Sequence, residues 1–237
     1  MKTTKEKLLK IESLQKLINW LNDEYGIKAL KKNPKIASVF VIGGASTNES
    51  YPPADIDIEI VFYDEIYTDF TTVNKIREYA KSLADDLDIF VEKVDDYLKG
   101  HFVSKGRNKY CSTILLYREV ATGVTIAGED ILCKVNLPPI PPEERYGYFS
   151  TAMGFFYDGK FAKSVLVAAQ VLLLENPKVK DFSSYKIVVD KMRDIVDEQN
   201  YAVLEKAYAA KIGKGQVTKE EAESFLNMVN SILLQKL

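Results

Sequence analysis

Four prolines stand in six residues at Leu137-Pro138-Pro139-Ile140-Pro141-Pro142, and this segment limits the possible folds more than any other. Proline has a fixed φ and no N–H, so the run can neither continue a helix nor lie in a central strand. It reads as a semi-rigid connector between two stretches of different character. Before it, apolar residues alternate with polar ones or form short runs between turns; after it, everything reads as helix. The expected architecture is a small mixed-sheet α/β domain over residues 1–136 and an all-helical domain over residues 137–237. The last helix carries the clearest signal, with Thr218 and Glu221 placed as a capping box ahead of Phe225, Met228, Val229, Ile232 and Leu233.

Within the first part, Met1 to Tyr25 is dotted with Lys and Glu and lacks the apolar centre of a signal peptide. Leu8, Ile11, Leu14, Leu17, Ile18 and Leu21 fall at helical spacing and predict one amphipathic helix. Ile36 to Ile42 is an apolar run that stops at Gly43-Gly44, as a buried strand running into a backbone turn would. A polar loop is expected from Ala45 to Pro53. Asp55 to Phe62 then alternates strictly, with Ile56, Ile58, Ile60 and Phe62 on one face and Asp55, Asp57 and Glu59 on the other. Glu59 reads as surface or as support for the two aspartates. Thr72 is placed to cap a helix from about Val73 to Ala84, with Ile76 and Tyr79 inward. Leu87 to Val94 alternates again, with Asp88, Phe90 and Glu92 on one face. A helix over Asn108 to Ala121 ends at Gly123, before a short apolar piece, Val124 to Ala127.

These strands bring Asp55, Asp57 and Asp88 to one face. Carboxylates that close repel, and each resists ionising without a counter-charge. Two divalent cations supply that charge, and hard oxygen ligands suit Mg2+, with Mn2+ as a substitute. The turn at Gly43-Gly44, twelve residues ahead of Asp55, leaves backbone N–H groups open to phosphate oxygens, with the Ser46 and Thr47 hydroxyls as further donors.

The string IGGASTNESYPPADIDIEIVF resembles the signature of the polymerase-β-type nucleotidyltransferase superfamily: a hydrophobic residue, Gly, Gly or Ser, a spacer, then Asp-hydrophobic-Asp. Leu87-Asp88-Ile89 fits the later strand that carries that family's third carboxylate. REVATGVTIAGEDI, Arg118 to Ile131, is similar to a segment of minimal nucleotidyltransferases and aminoglycoside adenylyltransferases, and the latter continue into a helical domain. The resemblance implies that Asp55 and Asp57 bind metal and that Asp88 completes the site as metal ligand or general base. It implies that Gly43, Gly44 and Ser46 hold the triphosphate, with ATP expected, and that an acceptor hydroxyl receives the nucleoside monophosphate. Many members carry Ser at the position of Gly44, Arg near Thr47 and Ser where this chain has Ala54. A catalytically degenerate nucleotide-binding or antitoxin-like regulatory protein is the rival reading.

Other readings are weaker. A calcium loop over Asp55, Asp57 and Glu59 fails because Ile60 and Ile66 stand where Gly and Glu are required. The single histidine, His101, is thin ground for a hydrolase. A formal net charge of −2 gives no field to draw in long nucleic acid, so the acceptor is expected to be a small molecule or a protein. The clusters Lys28 to Lys35 and Lys99 to Lys109 read as solvated surface, Lys105, Arg107 and Lys109 included. Tyr146, Tyr148, Phe149, Phe155, Phe156 and Tyr157 read as core of the helical domain, with Lys160 and Lys163 beside them as candidate triphosphate ligands. The most apolar stretch, Val165 to Leu174, is broken by Gln170 and is too short to span a bilayer. Two cysteines, Cys111 and Cys133, fit a reducing cytoplasm, which does not favour a disulfide between them.

Overall fold

Alternation of period two should leave one fully apolar face along each strand, and the computed structural model shows where those faces go. It describes residues 3–47, 55–99, 112–174 and 184–235. The chain forms two compact units that divide after Pro139.

The first unit opens with two helices, α1 (Lys5–Leu8) and α2 (Glu12–Glu24), instead of one. The helical period carries through the break, because Leu8, Leu14, Leu17, Ile18 and Leu21 are all buried. Ahead of α1, Thr3 N–H donates to the Ser46 carbonyl at 2.7 Å and the Thr3 hydroxyl to the Ala45 carbonyl at 2.8 Å, which ties the start of the chain to that segment. Strand β1 (Ile36–Ile42) is buried along its whole length. Residues Gly43–Thr47 then form a single helical turn, α3, where a loop was expected to begin at Ala45.

β2 (Ile56–Phe62) follows. The crossover helix α4 (Phe70–Leu83) starts at Asp69, whose carboxylate accepts from Thr72 N–H and from the Thr72 hydroxyl, both at 2.9 Å. Asp69 is therefore the cap that was assigned to Thr72. A carboxylate at that position also meets the positive helix end. β3 (Leu87–Lys93) leads into α5 (Val94–Leu98). α6 (Ser112–Thr122) closes at Gly123, and β4 (Val124–Gly128) completes the unit. The expected start of α6 at Asn108 lies outside the described residues.

The sheet runs β3-β2-β1-β4. β1 is antiparallel to both of its neighbours, and β2 is parallel to β3. One face packs Ile56, Ile58, Ile60 and Phe62 with Leu87, Ile89 and Val91 against α2 and α4. The other packs Phe40, Ile42 and Val61 against Tyr97 of α5 and Leu116 of α6.

The second unit is helical: α7 (Pro142–Tyr157), α8 (Phe161–Leu174), α9 (Tyr185–Met192), α10 (Glu198–Lys211) and α11 (Lys219–Leu234). Pro142 takes a first-turn position of α7, where its missing N–H is no loss. Every residue from Ser164 to Leu173 of α8 is buried, and the other helices surround it. Gln170 is satisfied there by Tyr148 Oη, which donates to Gln170 Oε1 at 2.8 Å. Of the aromatic stretch, Tyr148, Phe149 and Phe156 are core as expected, whereas Tyr157 is exposed. Thr218 and Glu221 form the capping box. No described helix is long and apolar enough to cross a membrane.

Candidate active site

The candidate site gathers where β1 leaves the sheet. Antiparallel register sets Ile42 opposite Asp57, and parallel register sets Asp57 beside Asp88. Neighbouring strands lie about 4.8 Å apart, so the two aspartates project side by side from one face. Asp57 is half-buried and Asp88 exposed. Asp55 stands one residue before β2, is exposed, and belongs to the same face by alternation.

Gly43 follows directly, with φ at 68°, in the left-handed region that glycine enters freely. A side chain there would run into Asp57 Oδ2 and lie 3.3 Å from Asp57 Cγ. A Cβ at Gly44 would meet nothing within 4 Å among the described residues. Ser46 is fully buried, and its hydroxyl donates to the Gly43 carbonyl at 2.8 Å; the Thr47 hydroxyl donates to the Gly44 carbonyl at 3.1 Å. Both hydroxyls are thus committed inside the turn. What α3 offers at its start is backbone N–H, since the first amides of a helix have no acceptor within it.

No protein-family model matches the chain, and no curated protein matches it in sequence. Among solved structures, spectinomycin adenyltransferase AAD(9) from Enterococcus faecialis, solved with ATP and spectinomycin, superposes with a TM-score of 0.66 at 13% identity. The match covers 98% of this chain and 99% of that one. The chain shares the fold of that adenyltransferase: a mixed four-stranded sheet with helices, followed by a helical C-terminal unit.

Within this fold, the acidic row continues inward. Glu59 is fully buried and Glu92 nearly so, one and two pleats below the Asp57–Asp88 pair. Glu59 is therefore interior, and its reading as a surface residue is corrected. The signal was present in the sequence: beyond Glu59 the strand reads Ile60-Val61-Phe62, apolar on both faces, which marks a strand end covered from both sides. Deeper still, Tyr97 Oη donates to Glu119 Oε2 at 3.0 Å, joining α5 to α6 in the interior. This pair had no signature in the linear pattern, because its partners lie 22 residues apart on different helices.

Among the described residues, no three His, Cys, Asp or Glu side chains are drawn together as a ready cage for a metal ion. The Asp57–Asp88 pair nevertheless fits magnesium by donor chemistry, since Mg2+ is commonly held by one or two carboxylates and completes its shell with substrate phosphates and water. Lys160 and Lys163, weighed as triphosphate ligands, stand at the start of α8 with their ammonium groups 5.9 and 4.3 Å from the Phe155 ring centre. Cys133 is a free, exposed thiol. Ala54, His101, Lys105, Arg107, Lys109 and Cys111 lie outside the described residues.

Proposed function

We propose that this protein is a nucleotidyltransferase that moves a nucleoside monophosphate from a nucleoside triphosphate to an acceptor hydroxyl. The observation that carries this reading is the register pairing of Asp57 with Asp88 beside the left-handed Gly43 turn. The end-to-end likeness to a protein solved with ATP and spectinomycin supports ATP as donor and a small molecule as acceptor.

In this reading residues 1–136 are the catalytic domain and residues 137–237 the substrate-binding domain. Asp55, Asp57 and Asp88 hold Mg2+, or Mn2+ in its place. Bound there, the metal would neutralise the triphosphate and the leaving pyrophosphate by Lewis acidity. The backbone from Gly43 through Ser46 receives phosphate oxygens. The acceptor oxygen bonds to the α-phosphorus as the bond from that phosphorus to pyrophosphate breaks. Asp88 completes the site as metal ligand or general base; in the second role a carboxylate oxygen of Asp88 takes the hydroxyl proton.

A second reading, a catalytically silent nucleotide-binding or antitoxin-like protein, draws on the committed Ser46 hydroxyl and the uncaged carboxylates. One experiment separates the two. The protein is incubated with each labelled triphosphate and Mg2+, with and without a cell metabolite extract, and pyrophosphate is followed. Release that needs the extract and vanishes in Asp57→Asn is expected. Calorimetric ATP binding with no pyrophosphate under any condition would establish the silent protein instead.

A further inference from the structure

The two glycines of the turn face different surroundings. At Gly44 an added Cβ meets nothing within 4 Å among the described residues, so none of their atoms requires that position to be bare. At Gly43 the three nearest atoms are Oδ2, Cγ at 3.3 Å and Cβ at 3.7 Å, all of one side chain, Asp57. Elsewhere in the unit, the atom nearest to a Cβ added at Gly123 or Gly128 is a backbone carbonyl oxygen, of Glu119 and Ala37 respectively, which is a packing need of the fold. At Gly43 the obstacle is a carboxylate at the candidate site.

We propose that Gly43 is a positioning residue: the space left by its missing side chain is the seat of the Asp57 carboxylate and fixes where Asp57 stands beside Asp88. The register explains why the two meet. Ile42, the last residue of β1, pairs with Asp57, so the chain must turn over Asp57 as it leaves the sheet. A turn at φ 68° brings the Gly43 Cα against the carboxylate, and only a residue without a Cβ fits that approach. A single glycine thereby joins the phosphate-facing turn to the metal-facing strand. A shift of one shifts the other. Glycine is demanded here by the acid on the neighbouring strand, and Gly44 is the position left open toward a ligand. The seating of Asp57 stands on the geometry alone; its consequence for metal binding rests on the function proposed above.

The test is a double-mutant cycle on thermal stability together with a metal-binding measurement. Gly43→Ala carries a backbone strain of the left-handed region in any background and should lower the melting temperature by roughly 3–6 °C from that cause. With Asp57 present the loss should be about twice as large. In an Asp57→Ala background, which removes Cγ and Oδ2, the collision is gone and only the strain remains. Equal losses in the two backgrounds would overturn the seating. If Gly43→Ala does not fold alone, recovery of folding in the Gly43→Ala/Asp57→Ala double variant supports the seating, and failure of both overturns it. Mn2+ binding, read by electron paramagnetic resonance of the full chain, should weaken at least about tenfold in Gly43→Ala. A coupled stability cycle in a wild-type protein that binds no Mn2+ would leave the seating in place and defeat the metal-dependent function. Mn2+ affinity unchanged in a folded Gly43→Ala would show that the glycine does not position Asp57 for metal.

Discussion

The two faces of the sheet are built from the same strands and the same alternation, yet they differ in kind. Against α2 and α4 the sheet presents Ile56, Ile58, Ile60, Phe62, Leu87, Ile89 and Val91, an apolar surface with no acid in it. Against α5 and α6 it presents Asp57, Glu59, Asp88 and Glu92 among Phe40, Ile42 and Val61. Folding is served by the first face: each of its side chains gains about 1.5–3 kcal/mol by leaving water. Carboxylates on the second face add no such gain, and like charges in one row cost stability until a cation or donor offsets them. In the function proposed above, the second face is where the fold would carry chemistry at some expense to stability.

The sharpest way to break this comparison is to neutralise the acid at its centre. Asp57→Asn keeps the shape that rests on Gly43 but removes the charge. Nucleotidyl transfer should fall by about 10³-fold, equivalent to ~4 kcal/mol of transition-state stabilisation. The melting temperature should stay level or rise, because repulsion is relieved. Asp55→Asn should behave likewise. A drop in melting temperature with transfer intact would make these aspartates structural.

Next in size is the opposite face. Ile58 is fully buried on β2 between helix-facing neighbours. Ile58→Ala should cost about 2–5 kcal/mol in chemical denaturation while leaving the transfer rate per folded molecule near wild type. Loss of rate without loss of stability would mean that the apolar face also tunes the site.

Tyr97→Phe probes the buried polar layer below the acids. Removing the hydroxyl that donates to Glu119 Oε2 leaves a buried carboxylate short of one donor, which should cost about 1–3 kcal/mol. No measurable cost would show that Glu119 is satisfied without Tyr97.

How much of this was legible beforehand differs between the faces for the same reason. Ile56 to Phe62 could be placed by alternation alone, because strand period is a local rule; the register that sets Asp57 beside Asp88 comes from the pairing of β2 with β3 across α4 and is not local. The capping box of α11 was local in the way the strand period is. For Glu59, surface and support of the aspartates were both open; its burial removes the first, and the apolar strand end Ile60-Val61-Phe62 carried that signal. The break between α1 and α2 was hidden because the helical period of the buried residues runs through it unbroken. Asp69 displaced Thr72 as cap because either residue type satisfies the rule, and only backbone geometry chooses. Gly43-Gly44 read as a pair with one task; the structure separates them by what surrounds each.

The smallest effect is expected at an acid of the helical unit, away from the acidic row of the sheet. Glu221 in the helical unit lies within reach of Lys206, whose Nζ is 2.5 Å from Oε1, and its Oε2 accepts Thr218 N–H at 3.0 Å. The Lys206 hydrogen bond first, then the Thr218 amide, holds its carboxyl below the ordinary glutamate range. A depressed folded value means the unfolded state binds more protons near that range. The stabilisation is present above the unfolded value of about 4.3 and is lost as pH falls through the lower folded value. Lys206 is well exposed, so water screens the pair and its worth is small, about 0.5 kcal/mol. Glu221→Gln should therefore lower stability by about that amount at pH 7, and the gap to wild type should close as the solution is taken below about pH 4. Asp57→Asn should carry the opposite sign at pH 7, because it relieves the repulsion between Asp57 and Asp88, which stand in register on neighbouring strands. Denaturation curves of the two variants at pH 7 and pH 3 test that contrast. A stability gain in Glu221→Gln, or a loss in Asp57→Asn equal to it, would mean that the two acids are held in the same way.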